Sequence, residues 1–177
     1  AKALKRAILM GAGVGAGVGI GRGVRFSGLP GGNLTGAAVG AGTGAVLGQL
    51  KGGVGTASTV LDSGITVAAL VMANAAGSAV EPETGVLYGE FFQGRVRHPE
   101  PEMHEAARKR LAEAAGRNGS PPLNTTLAVV ATDADLSKAQ AQKLAGTSHD
   151  GIARAVRPVH LLHDGDTVFT LATGARP

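Results

Sequence analysis

Two strand-length apolar runs sit back to back in the chain: Thr59-Val60-Leu61, then Ile65 through Met72, separated only by Asp62-Ser63-Gly64. Short polar side chains and a glycine accept the backbone angles of a tight reversal, so the pattern predicts two strands joined by a turn. Neither run alternates cleanly with polar residues. Strands of that kind are covered on both faces, which points to a layered fold. The layers must also lie close together. Of 177 residues 44% are hydrophobic but only 3% are aromatic, and 29 are glycine, so Ala, Val, Leu and Ile have to build the core. A chain of this length fits one compact domain.

The amino-terminal third is of another character. Glycine takes every second position from Gly11 to Gly23. That alternation is not a dinucleotide fingerprint, which needs glycines at i, i+2 and i+5, and no Gly-Lys-Ser/Thr phosphate loop occurs. Residues 1–32 read as low-complexity sequence. Residues 1–61 carry six basic side chains (Lys2, Lys5, Arg6, Arg22, Arg25 and Lys51) and no acid, whereas 62–177 carry eleven basic and thirteen acidic ones. A basic, glycine-rich head raises binding to nucleic acid or to a membrane surface. Phe26 is its only aromatic and it has no dense basic cluster, so neither partner is expected. The uncharged run 7–21 is shorter than the ~20 residues that span a bilayer. Without cysteine there is no disulfide, thiol nucleophile or zinc-thiolate site, and a cytoplasmic location is expected.

Downstream, prolines 82, 99 and 101 mark residues 81–101 as loop. "PEMHEAARKRLAEAAGRNG" predicts a solvated helix of ~15 residues ended by Gly116. A strand is expected over 126–133. Ser137 with Gln140 makes a capping box, opening a helix carried to the Pro158 stop, with Leu144, Ser148, Ile152 and Val156 on one face. Asp164-Gly165 reads as a hairpin turn leading into a strand from Thr167 to Thr173. Together these give an α+β layered arrangement.

The junction "PPLNTTLAVVATDADL", residues 121–136, holds the candidate chemistry. A threonine hydroxyl is a weak nucleophile until a base sits beside it. One such base is the residue's own α-amine, freed when the preceding peptide bond is cut; its pKa of ~7.7–8 leaves a usable neutral fraction. The same hydroxyl can make that cut by attacking the Asn124 carbonyl. On the local residues alone, Thr125 is equally a β-branched residue opening a strand.

The stretch from Asn124 to Thr173, with "LKGGVGTAS" and "VMANAAGS" upstream, resembles the D-aminopeptidase/esterase and β-peptidyl aminopeptidase family, and within it the nylon-oligomer (6-aminohexanoate-oligomer) endo-hydrolases. The resemblance covers roughly residues 36–80 and 121–173. It implies an N-terminal-nucleophile-like hydrolase with an αββα four-layer sandwich, self-cleaved at Asn124–Thr125 into a large part, 1–124, and a small part, 125–177, within one structural domain. It implies Thr125 as nucleophile, Asp164 and Asp166 as carboxylates near it, Lys51 as an active-site lysine, and Asn74 as a donor to the oxyanion. The substrates implied are short peptides with D- or β-residues, or ω-amino-acid oligomers. The processed units would form a homo-oligomer such as a tetramer. Relatives place a tyrosine beside the oxyanion, a position that Tyr88 does not occupy.

Each residue also has a plainer role. Asp164 opens an Asp-Gly turn, Lys51 lies between glycines, Asn74 is a polar residue in an apolar strand that needs a partner if buried, and Asp133 and Asp135 cap the helix region that follows. His149, His160 and His163 have no zinc-ligand spacing and read as structural, so neither a metal nor another cofactor is expected. The competing functions are a non-catalytic oligomeric assembly protein, with Asn124–Thr125 left intact, and a basic binder of nucleic acid or membrane surface.

Overall fold

The computed structural model describes residues 44–92, 94, 96–115 and 124–177; the glycine-rich head and the two prolines ahead of Thr125 lie outside the described residues. Two short strands come first, β1 (Val46–Leu47) and β2 (Leu50–Lys51). The main sheet follows: β3 (Gly53–Val60), β4 (Thr66–Ala73), β5 (Leu127–Ala134) and β6 (Thr167–Arg176). Helix α1 (Pro101–Ala115) lies between β4 and β5, and α2 (Lys138–Ala155) between β5 and β6. A 3-10 turn covers Tyr88–Phe92.

The expected turn closes β3 onto β4, with Gly64 at φ +80°. β3 begins six residues earlier than the apolar run that predicted it, because Gly53, Gly55 and Ala57 carry too little side chain to register as a strand. β4 pairs antiparallel with β5, and β5 pairs parallel with β6. The Asp164-Gly165 pair therefore does not turn a hairpin. A parallel neighbour needs a crossover, and α2 supplies it.

The capping box on α2 is present, Ser137 Oγ receiving the Gln140 amide and Gln140 reaching back to the Ser137 amide. Ser148, Ile152 and Val156 are buried and Leu144 packs beside Val67, Ala69 and Val130, so the predicted apolar stripe is the one that meets the sheet. The carboxy-terminal end of α2 closes a second cluster with Leu47, Ala73, Ala75 and Ala79. α1 is largely exposed, as expected. Between it, β2 and the 80–85 segment lies an apolar cavity of ≈ 360 Å³, lined by Leu50, Val80, Pro82, Met103 and Leu111 among others.

The chain is thus α+β. Of a four-layer sandwich, the described residues supply one sheet and one helix layer. The sheet face away from α2 is less covered: Leu70, Val129 and Phe169 lie in register across it, with Phe169 55% and Leu171 59% exposed. Coverage on both faces, expected from the apolar runs, is therefore uneven among the described residues.

Candidate active site

Strand direction decides which residues meet. β4 runs opposite to both neighbours and β6 runs with β5. The start of β3, the end of β4 and the starts of β5 and β6 consequently share one end of the sheet. Lys51 precedes β3, Asn74 follows β4, Thr125 precedes β5, and Asp164 and Asp166 precede β6. All five predicted site residues lie at that end.

The bond expected to be cut is held from several sides. Asn124 is buried and forms a parallel bridge with Asp164. Its carbonyl oxygen accepts the Gly165 amide at 3.0 Å and the Thr125 Oγ1 hydroxyl at 2.8 Å. One residue on, Thr126 donates its amide to Asp166 Oδ1 at 3.0 Å and its hydroxyl to the Asn74 carbonyl at 3.3 Å. The Thr125 side chain lies so close to Gly165 that a Cβ there would stand 3.0 Å from Oγ1. Glycine at 165 keeps that space open.

The two aspartates have different surroundings. Asp164 is 8% exposed; its Oδ1 accepts the Ala76 amide at 3.3 Å, while Oδ2 is buried with no hydrogen-bond partner among the described residues. A buried, unpaired carboxylate oxygen is costly to keep. The Asp166 side chain is 2% exposed and fully engaged, taking Thr126 N–H on Oδ1 and His160 Nδ1 on Oδ2 at 2.7 Å.

Asn74 and Lys51 sit one step back. Asn74 Oδ1 accepts the Val46 amide at 3.0 Å, and Val46 is the ladder partner of Lys51. The β1–β2 hairpin is thereby tied to the end of β4. Lys51 is exposed.

Three participants carried no functional signal in the sequence: Gly165 and Ala76, which act through backbone amides, and His160. The sequence reads His160 as structural, yet it pairs with Asp166 and lies edge-on to His149 at 5.0 Å between ring centroids. No group of three or more His, Cys, Asp or Glu able to hold a metal occurs among the described residues. No helix among them is long and apolar enough to cross a membrane.

The sequence profile of peptidase family S58 matches residues 10–177. An uncharacterized aminopeptidase of Mycobacterium tuberculosis is 50% identical over 133 residues, which are 72% of this chain and 37% of that protein. A 6-aminohexanoate-oligomer endohydrolase of Kocuria sp. is 28% identical over 115 residues, 62% of this chain and 30% of its own. Among solved structures, a β-aminopeptidase of Burkholderia sp. aligns at TM-score 0.47 with 31% identity, over 75% of this chain and 31% of that one. The matched residues thus span only 30% to 37% of the length of these relatives.

Proposed function

The chain belongs to peptidase family S58, and from that premise we propose that it severs its own Asn124–Thr125 bond and then hydrolyses amides with Thr125 as the amino-terminal nucleophile. The observation that carries this is the Thr125 hydroxyl lying 2.8 Å from the Asn124 carbonyl oxygen, on a carbonyl already polarised by the Gly165 amide. In the first step Thr125 Oγ attacks the Asn124 carbonyl carbon and negative charge gathers on the carbonyl oxygen. An N–H aimed at that oxygen stabilises it as it forms. The C–N bond then breaks, the hydroxyl proton ends on the Thr125 nitrogen, and an ester joins Asn124 to Oγ. Water hydrolyses the ester, leaving a carboxylate on Asn124 and a free amine and hydroxyl on Thr125.

That amine is the general base of the mature enzyme. It also answers Oδ2 of Asp164, which has no partner among the described residues, because the amine released beside the Asn124–Asp164 bridge brings a new N–H donor to that place. Asp166 orients Thr125 through the Thr126 amide. Asn74 and Lys51, at the same end of the sheet, serve the oxyanion of the substrate intermediate. The large part, 1–124, and the small part, 125–177, stay assembled as one domain. We propose short D- or β-amino-acid peptides or ω-amino-acid oligomers as substrates, a homo-oligomer such as a tetramer as the working state, and a cytoplasmic location.

Intact mass of the purified full-length protein tests the first step. Two fragments are expected, the smaller beginning Thr-Thr-Leu, together with hydrolysis of 6-aminohexanoate oligomers or of D- and β-aminoacyl amides. A single uncut mass in aged, folded protein removes the proposal in favour of a non-catalytic assembly.

A further inference from the structure

We propose that His160 is a positioning residue for Thr125, acting through Asp166. The inference rests on self-cleavage at Asn124–Thr125 and deepens it. Asp166 is a nearly inaccessible carboxylate whose two oxygens face two different elements: Oδ1 takes the Thr126 amide, Oδ2 takes His160 Nδ1. An ionised carboxylate has no hydrogen to give, so Nδ1 is the donor. The amide that Oδ1 holds belongs to the peptide immediately after the nucleophile. Fixing that peptide plane fixes the Thr125 Cα, the atom from which both the side chain bearing Oγ1 and the nitrogen that becomes the amine project.

The chain adopts an unfavourable backbone to make this contact. His160 has φ +55°, the one non-glycine residue in the left-handed region among those described. Such positions persist only where the surroundings impose them. Burial of the ring is not the reason, since the His160 side chain is 36% exposed. What the bend achieves is to set Nδ1 2.7 Å from Asp166 Oδ2 while the Thr126 amide holds Oδ1 at 3.0 Å, with His149 of α2 edge-on to the ring. The segment is anchored upstream by paired backbone bonds, Ser78 N to Arg157 O and Arg157 N to Ser78 O, both 2.8 Å. His160 thus arrives from a braced strand-like stretch rather than a free loop. Without its N–H, Oδ2 loses a charge-assisted bond and Asp166 is free to rotate off Thr126.

The test separates imidazole from backbone. Glycine accepts φ +55° without strain, so His160→Gly removes the ring and leaves the bend. Asparagine also tolerates that region and sets an amide N–H near the place of Nδ1. The full-length protein is followed by intact mass from synthesis onward. Expected is maturation at least about tenfold slower in His160→Gly, within about threefold of wild type in His160→Asn, and partly restored in His160→Gly by added imidazole. Wild-type speed in His160→Gly overturns the proposal, as does a slow His160→Gly that neither Asn nor imidazole recovers. A wild-type chain that never splits instead brings down self-cleavage itself, and the positioning role with it.

Discussion

Asp166 and Asp164 stand two residues apart at the mouth of one strand, yet each oxygen of Asp166 has a partner while Oδ2 of Asp164 is buried with none among the described residues. In the proposed maturation that asymmetry would divide their tasks, orientation for Asp166 and reception of the new amine for Asp164. Thr125→Ala should stop the cut altogether, whereas Thr125→Ser, which keeps the hydroxyl 2.8 Å from its target carbonyl, should still mature. Intact mass distinguishes the two. Asp166→Asn should slow maturation by about tenfold or more while circular dichroism stays that of the wild type; unchanged kinetics would remove it from the site. The histidine behind the pair also predicts a pH dependence. Burial, and then the neighbouring His160, hold the His149 pKa below its ordinary value, with Asp166 pulling the other way. As pH falls below about 6.5 the unfolded chain takes up a proton at His149 before the folded one does. Stability from this group is therefore complete above that pH and declines beneath it. The urea midpoint should fall between neutral and mildly acid pH, and fall less steeply in His149→Gln.

The elements with strong local signals were legible in the sequence. The Asp62-Ser63-Gly64 turn, the Ser137/Gln140 cap and the stripe Leu144, Ser148, Ile152 and Val156 all appear where side-chain chemistry predicts them. What escaped depends on glycine or on long-range pairing. Gly53 and Gly55 open β3 without a side-chain pattern, and β1 and β2 are two residues each. The direction of β6 is fixed by its pairing with β5 and not by Asp164-Gly165, so the local turn signal misled. The site followed the same rule. Its side chains were named by resemblance to a family, but the amides of Gly165 and Ala76 have no sequence signature, and His160 draws its role from a bend. One close approach at this level is testable. Gly77 lies against the Pro158 carbonyl so tightly that a Cβ would overlap it. Gly77→Ala should cost about 1–3 kcal/mol, seen as a lower Tm. It should also slow maturation, because the displaced 157–160 segment carries His160.

At the scale of the molecule, the sheet has one face under α2 and another on which Phe169 and Leu171 stand out. Apolar surface of that kind on a small chain favours association. Replacing both residues by lysine should lower the mass measured by sedimentation in a chain that otherwise self-associates, and leave the Asn124–Thr125 cut unaffected, since the cut lies at the sheet's end and not on its face. The order of pairing has another effect. The proposed cut falls between β4 and β5, strands zipped together over six paired positions from Val67↔Thr132 to Met72↔Leu127. Before it, folding is a matter for one molecule and its rate is indifferent to dilution. Afterwards the same sheet must be rebuilt from two separate pieces that have to find each other. Once denatured, the mature protein should recover more slowly the more dilute it is, so maturation works as a ratchet: easy to reach from a newly made chain, hard to regain once lost.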